Sequence, residues 1–116
     1  MAIRDARVLD LAFHALADPT RREMLAMVAR RGECTAGQLG EPFDIAQPTA
    51  SKHLRVLEEA GLVKRRIDGR VHWFHIEPAP LDEVDRWLSR HRRFWQKTLI
   101  RLGDALGDLQ RDGHGK

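Results

Sequence analysis

The stretch "IAQPTASKHLRVLEEAGLV", residues 45–63, decides how the rest of the chain is interpreted. Pro48 suits the first turn of a helix and Gly61 suits a helix end, so the stretch predicts a helix over about 47–60. Apolar residues recur at spacings of four and three and define one buried face: Ala50, Leu54 and Leu57. Most of the other positions carry Gln, Thr, Ser, Lys or Arg. A helix formed only for packing has little use for them, so its polar side is expected to face a partner.

Three helices are predicted before this stretch. Residues 8–17 carry apolar side chains at helical spacing. A second helix is predicted over 19–31, because an Asp-Pro pair suits its cap and first position and a glycine follows its end. A short third helix is predicted to begin after Thr35, which forms the capping-box pattern with Gln38, and to end near Gly40.

Two short segments and one long helix are predicted after it. Residues 63–67 and 71–76 are rich in β-branched and aromatic side chains, and the Asp68-Gly69 pair between them favours a β-hairpin. From Leu81 to about residue 109, apolar residues recur at steps that alternate between three and four. This pattern is close to a heptad seam, on a helix of about 44 Å. The helix is longer than so small a domain needs.

These elements predict a mainly α fold with a β-hairpin, the winged helix-turn-helix, in one domain over 1–110 with a disordered tail at 111–116. In that fold the second helix of the motif enters the DNA major groove, and a basic hairpin follows the backbone as the wing. Between residues 47 and 76 there are six Lys and Arg and three Asp and Glu. The predicted DNA-binding residues are Gln47, Thr49, Ser51, Lys52 and Arg55 on the recognition helix (about 47–60), and Arg65, Arg66 and Arg70 on the wing (about 63–76).

The composition agrees with this interpretation. The chain has 116 residues, 42% hydrophobic and 32% charged, which suits one small folded domain. Its formal net charge is +3 and its pI about 9.6, near the range of nucleic-acid binders. A single cysteine excludes an internal disulfide. The first ten residues carry charges and no run of about 20 apolar residues occurs, so a cytoplasmic protein is expected.

Enzyme activity is not expected. The chain has no glycine-rich phosphate loop, no nucleophile motif and no clustered carboxylates. Ser51 and His53 lie two residues apart on a helix and do not face each other. His14 and His53 are expected to pack or to cap. No cofactor is predicted.

Two blocks of the sequence resemble the ArsR family of bacterial winged-helix repressors: "FHALADPTRREMLAMV", residues 13–28, and "QPTASKHLRVLEEAGLVKRRIDGR", residues 47–70. The long final helix extends the resemblance to most of the chain. The family implies a homodimer held by the first and last helices, and repression at a roughly palindromic operator. By position, Gln47, Thr49, Ser51 and Lys52 match the family's DNA-facing residues, and Arg70 matches the wing.

A dimer interface is predicted from the same two helices. The apolar seam of the last helix would be exposed in a monomer, and soluble monomers seldom carry such a patch. The predicted interface residues are Val8 and Leu11 on the first helix, and Leu88, Trp95, Leu99, Leu102 and Leu106 on the last. One departure from the family concerns DNA binding: Ala46 stands where Ser commonly caps the recognition helix, which typically costs about 1 kcal/mol.

No metal site is predicted, although many members of the family bind metal. Thr35 and Gly37 occupy the positions of the family's Cys-x-Cys pair, and Cys34 alone cannot form a soft-metal site. The last helix offers Asp82, Asp85 and His91 without a second histidine-based pair. His91 falls on the apolar seam, which favours packing. Metal-responsive repression through the last helix is the competing hypothesis.

Four features of the chain each allow a second interpretation. The aromatic residues of the last helix favour a dimer core but could line a pocket for a small effector, whose identity is unknown. The cluster "RHRRFWQK", residues 90–97, favours a solvated face over a surface for an anionic partner. The fold could serve protein interaction without DNA binding. Cys34 could be redox-active, but a small buried residue is favoured.

Overall fold

A computed structural model describes the backbone of residues 2–114 and the side chains of residues 6–105 and 107. The chain divides into two compact units, Met1–Val84 and Asp85–Lys116. The elements in chain order are α1 (Ala2–Leu16), α2 (Pro19–Arg31), β1 (Glu33–Thr35), α3 (Ala36–Gly40), α4 (Gln47–Glu59), β2 (Val63–Asp68), β3 (Val71–Ile76) and α5 (Pro78–His114). Within residues 2–114, every helix is too short or too polar to span a membrane.

Local capping signals fix the ends of α2 and α3, as predicted. The carboxylate of Asp18 accepts a hydrogen bond of 3.1 Å from the Arg21 backbone N–H. Gly32 ends α2 with a φ of 86°, a value that favours glycine. Thr35 and Gln38 form the complete capping box, with bonds of 3.1 Å and 2.9 Å. These bonds satisfy N–H groups that have no partner inside a helix.

The sheet has one strand more than the predicted hairpin. β1 pairs antiparallel with β3, which also pairs with β2, so the order is β1-β3-β2. The short Glu-Cys-Thr strand shows no alternating pattern that would reveal it. It forms because Cys34 lies opposite Phe74, and both side chains are buried. Cys34 is therefore a buried core residue, as the sequence favoured.

The hairpin turn also differs by one residue from the prediction. Asp68 pairs with Val71, so Gly69 and Arg70 form a two-residue loop. Gly69 has a φ of 61° and no non-glycine residue among those described has a positive φ. Glycine in the first loop position is typical of a type II′ turn, whose twist matches that of the strands.

The core of the first unit lies between the helices and the sheet. Its fully buried side chains come from seven elements and include Ala12, Met24, Cys34, Leu39, Leu57, Val63 and Phe74. α4 contributes its predicted stripe of Ala50, Leu54 and Leu57. Because this stripe is buried, the opposite side of α4 is fixed on the surface.

The last helix is longer than predicted at both ends. It begins at Pro78 and continues to His114, past the end near 109 that the sequence predicted. Its first turns belong to the first unit, where Val84 joins the core. Once a helix has formed, each further residue adds one backbone hydrogen bond. The helix therefore continues through Gly107 and Gly113 despite the low helix propensity of glycine. The backbone is helical at 111–114, where the sequence predicted a disordered tail, and residues 115–116 lie outside the described part of the chain.

Candidate nucleic-acid interface

The exposed side of α4 gathers all five residues predicted on the recognition helix. Gln47, Thr49, Ser51, Lys52 and Arg55 are all exposed. Within the described part of the chain, neither Lys52 nor Arg55 forms an ion pair or a side-chain hydrogen bond. Their charges are therefore available to a partner in solution.

A small cavity of about 250 Å³ separates the start of α4 from α3. Gln47 and Ser51 line it beside apolar side chains of α4. The two helices approach closely at Gly40, where an added Cβ would lie 3.3 Å from the Cβ of Ala50. These two small residues allow the tight packing on which the helix-turn-helix depends.

α4 starts without a side-chain cap. Ala46 has an extended backbone (φ −67°, ψ 151°) suited to a cap residue, but its side chain accepts no bond. Its backbone carbonyl accepts bonds of 3.0 Å from the N–H groups of both Thr49 and Ala50. The missing cap follows the sequence prediction.

The wing is attached to α4 by Arg65. Its guanidinium donates bonds of 3.1 Å and 2.8 Å to the two carboxylate oxygens of Glu58 on α4. Its third nitrogen lies 3.0 Å from Nδ1 of His72, and the group lies over the buried ring of Phe74 at 5.1 Å. All three nitrogens of Arg65 therefore have partners inside the molecule. Sequence reasoning missed this, because the pairing depends on how the hairpin packs on α4.

Arg66 and Lys64 are paired as well, whereas Arg70 has no ion-pair partner among the described residues. Arg66 donates two hydrogen bonds of 3.2 Å to the carboxylate of Glu33 on β1. Its guanidinium also lies over the ring of Trp73, 5.6 Å from the ring centroid. These hydrogen bonds lower the pKa of the Glu33 carboxyl below its ordinary value. Lys64 lies 3.4 Å from Glu77. Arg70, at the hairpin tip, is exposed and forms no ion pair with any residue that the structure describes.

A second set of contacts joins α4 to the corner between α1 and α2. Arg21 donates to the carbonyls of Ala15 at 2.7 Å and His14 at 3.1 Å, and its Nη1 lies 3.3 Å from Nδ1 of His53 on α4. The same Nδ1 lies 3.9 Å from the carboxylate of Asp18. The hydrogen bond from the Arg21 backbone N–H lowers the pKa of the Asp18 carboxyl, and the positive charge of Arg21 adds to this effect. Asp18 therefore stabilises the fold above its ordinary pKa, and this is lost as the pH falls through the lowered one.

The second unit exposes the apolar seam of α5. Leu88, Trp95, Leu99 and Leu102 are all exposed, and the side chain of Leu106 lies outside the described residues. On α1, Leu11 is exposed and Val8 is half-buried. His91 stacks on Trp87 with ring centroids 4.4 Å apart, and its Nδ1 lies 2.8 Å from the Trp87 carbonyl. This agrees with the expected packing role of His91.

The described side chains of His, Cys, Asp and Glu do not gather into a group of metal ligands. Among the side chains described, no three His, Cys, Asp or Glu residues come close enough to hold a metal ion.

Net charge is distributed unevenly between the two units. Residues 1–84 hold twelve Lys and Arg against thirteen Asp and Glu, a formal charge of −1. Residues 85–116 hold eight against four, which gives +4. The overall charge of +3 is thus not a property of the helix-turn-helix unit. The features that mark α4 and the wing are local: Lys52, Arg55 and Arg70 have no ion-pair partner among the residues that the structure describes.

Comparison with known proteins agrees with this geometry. A family model described as a helix-turn-helix domain matches residues 16–66. The transcriptional repressor SdpR of Bacillus subtilis is 32% identical over 76 residues, which cover 66% of this chain and 83% of that protein. The HTH-type transcriptional regulator Rv2034 of Mycobacterium tuberculosis is 34% identical over 102 residues, covering 85% of this chain and 92% of that protein.

Solved structures extend the similarity to the fold. A crystal structure of an ArsR family transcriptional regulator has a TM-score of 0.72 with 38% identity, and the match covers 78% of this chain and 93% of the other. An ArsR-like transcriptional regulator from Rhodococcus sp. RHA1 has a TM-score of 0.66 with 28% identity, covering 86% and 93%. These relatives are regulators of transcription, not enzymes, in agreement with the sequence. The chain belongs to the ArsR family of winged helix-turn-helix transcriptional regulators.

Proposed function

We propose that this DNA-binding regulator is a homodimeric, sequence-specific repressor that acts in the cytoplasm on its own operon. The observation that carries the proposal is the surface of α4, where three polar residues and two cations are exposed opposite a buried apolar stripe. Neither cation has an ion-pair partner in the described part of the chain. SdpR of Bacillus subtilis, which is named a transcriptional repressor, supports the direction of regulation. Repression would follow when the bound dimer blocks polymerase at the promoter.

In this proposal α4 enters the major groove with its N-terminal end toward the bases. Gln47 and Thr49 belong to the first turn, where recognition helices contact base edges. Glutamine can pair with adenine and arginine with guanine. Lys52 and Arg55 lie one to two turns further on, where long cationic side chains reach either guanine or a phosphate.

The wing residues take two different roles in the proposal. Arg70 has no internal partner among the described residues and contacts the phosphate backbone first. Arg66 keeps Nη1 outside its pair with Glu33, so it can add a phosphate contact through that nitrogen. Arg65 uses all three nitrogens internally and mainly holds the wing against α4. An arginine paired with both oxygens of a carboxylate is held in a defined orientation.

The dimer is proposed to form through the exposed seam of α5, with α1 adding Leu11. Leu88, Trp95 and Leu99 are large apolar side chains that a second copy would cover. Burying each of them contributes about 1.5–3 kcal/mol. Two-fold symmetry then presents two recognition helices to a palindromic operator.

No metal response is included in the proposal. Zinc, cadmium or arsenite at micromolar concentration should leave operator binding unchanged, because the described side chains contain no cluster able to hold a metal ion. Isothermal calorimetry in which one of these ions bound stoichiometrically to the dimer and released DNA would favour metal-responsive repression.

DNA binding itself is tested with the wild-type protein and the DNA upstream of its own gene. We expect a gel shift at nanomolar protein that a shuffled duplex of equal composition competes for at least about a thousandfold less well. Equal binding to both duplexes would contradict sequence-specific regulation. No binding to either duplex would favour a winged helix used for protein interaction.

A further inference from the structure

We propose that Arg21 and His53 form a positioning pair that fixes α4 on the α1–α2 corner, and that the pair requires a neutral imidazole. This inference rests on the proposed function, because its effect is read in operator affinity. Arg21 belongs to α2, and the side chain of His53 is largely covered. The pair therefore acts by positioning α4, without contacting DNA itself.

Arg21 is itself held firmly. It donates from Nε to the carbonyl of Ala15 and from Nη2 to the carbonyl of His14, at 2.7 Å and 3.1 Å. Carbonyls in the last turn of a helix lack intrahelical partners, so these bonds satisfy the end of α1. Its own backbone N–H is bonded to Asp18. The guanidinium is therefore anchored to α1 and α2, and only Nη1 remains to reach α4.

His53 receives that last nitrogen. Its side chain is 16% exposed, and its Nδ1 lies 3.3 Å from Nη1 of Arg21. A guanidinium can only donate, so Nδ1 must accept and cannot carry a proton. The charged groups placed against the ring are Arg21 from α2 and Asp18 from its cap, the latter 3.9 Å away. The geometry thus assigns the neutral imidazole to the arrangement observed.

Protonation would break this contact. A proton on Nδ1 would face a donor, and the imidazolium would lie beside the positive guanidinium. The ring would gain only the more distant carboxylate of Asp18 as a partner. α4 would then lose its bond to the anchored Arg21 while its apolar stripe stayed buried. Contacts of recognition side chains are sensitive to displacements of well below 1 Å, so a small shift of α4 lowers affinity.

The expected pH dependence has an unusual sign. Acid normally strengthens DNA binding, since protonated histidines add positive charge that attracts phosphates. Here, protonation of His53 weakens binding by releasing α4.

The test uses two variants of His53 in the full-length protein. His53→Asn places an amide oxygen close to the position of Nδ1, whereas His53→Leu has similar bulk and no acceptor. At pH 8 we expect His53→Leu to bind operator about tenfold more weakly, the effect typical of one bond to a charged group. His53→Asn should stay within about threefold of the wild type. The salt dependence should be the same for all three proteins, because no phosphate contact is removed.

The pH profile separates positioning from simple stability. The ratio of wild-type to His53→Asn affinity should fall as the pH drops from about 8 to 5.5, since only the wild type carries the titrating ring. Arg21→Gln and the double variant Arg21→Gln/His53→Leu complete the set. The double variant should bind no more weakly than Arg21→Gln alone, as expected of two residues that act through one contact.

Each contrary result has a defined meaning. Operator binding by His53→Leu equal to that of the wild type, or parallel pH profiles for the wild type and His53→Asn, would overturn the positioning role. A salt slope lowered by about one in His53→Leu would overturn it too, since His53 would then contact phosphate directly. A wild-type protein that binds no DNA would overturn the proposed function instead.

Discussion

α4 and α5 carry apolar stripes of the same helical spacing, and the stripes have opposite fates. In α4, Leu54 and Leu57 are buried in the core of their own unit, whereas in α5, Leu88 and Leu99 are exposed. The stripe of α4 fixes which side of that helix faces outward. In α5, Val84 is buried, but the described apolar side chains that follow it on the stripe are exposed: Leu88, Trp95, Leu99 and Leu102. Spacing thus identifies an apolar face, but only the surrounding elements decide whether the chain itself covers it.

The same two regions differ in charge. The helix-turn-helix unit is slightly acidic overall, and the net positive charge belongs to residues 85–116. Lys64, Arg65 and Arg66 are paired with carboxylates, which leaves Lys52, Arg55 and Arg70 as the unpaired cations of the DNA-facing segment among the described residues. The placement of cations, and not their total, marks the proposed interface.

The largest expected effect comes from a charge placed in the seam of α5. Leu99→Glu should give a monomer or an aggregate and abolish operator binding, because a buried unpaired carboxylate is strongly unfavourable. Ile100→Glu is the matched control. Both residues are 63% exposed, but one step along a helix turns about 100°, so Ile100 lies off the seam. The Ile100→Glu protein should remain a dimer and bind DNA. Sedimentation velocity measures the dimer, and gel shift measures DNA binding.

Two results would contradict the assignment of the α5 seam as the dimer interface. A wild-type protein that sediments as a monomer at micromolar concentration would rule out the proposed dimer. A Leu99→Glu protein that still bound operator as a dimer would show that another surface joins the two copies.

A smaller effect is expected from the cations of α4. Lys52→Ala and Arg55→Ala should each weaken operator binding about tenfold and lower the slope of log affinity against log salt by about one. Both side chains are exposed, so unfolding free energies should change by less than about 0.5 kcal/mol. Arg93→Ala, which removes an exposed cation from α5, is the control for net charge.

The control decides between local and global electrostatics. An unchanged salt slope in Arg93→Ala, with lowered slopes in the two α4 variants, would support the assigned face. If all three variants lowered the slope equally, overall charge would drive binding. Wild-type affinity in both α4 variants would show that the recognition face is wrong.

The smallest effect concerns the start of α4. Ala46→Ser should stabilise the first unit by about 0.5–1 kcal/mol, since Ala46 already has cap geometry and lacks only the side-chain acceptor. Thermal unfolding of the variant measures this gain. Ala46→Val, which offers no acceptor, should give none. If Ala46→Ser left the melting temperature unchanged, the backbone N–H groups at the start of α4 would already have hydrogen-bond acceptors.

Most of the fold could be predicted from the sequence because its signals are local. Each capping signal contacts residues no more than four positions away. These signals are the Asp-Pro start of α2, the glycine after Arg31, and the capping box of Thr35 and Gln38. The hairpin followed from two β-rich segments around a glycine. All five recognition-helix residues are exposed as predicted, because the stripe of Ala50, Leu54 and Leu57 determines the other side.

The remaining features depend on contacts distant in sequence. β1 exists because Cys34 meets Phe74, 40 positions later, and three residues carry no pattern of their own. The pairing of Arg66 with Glu33 joins residues 33 positions apart, so composition alone assigned Arg66 a free charge. The contact between Arg21 and His53 spans 32 positions. A short local pattern cannot reveal such partners.

Footprinting of the wild-type protein on its own upstream DNA tests the central claim most directly. Two copies joined by α5, each with α4 in the major groove, should protect guanine N7 atoms in two segments about 10 base pairs, or about 34 Å, apart on one face of the duplex. Arg55→Ala should weaken the protection of both segments together. A single protected segment, or protection confined to the minor groove, would contradict the proposed dimer on DNA.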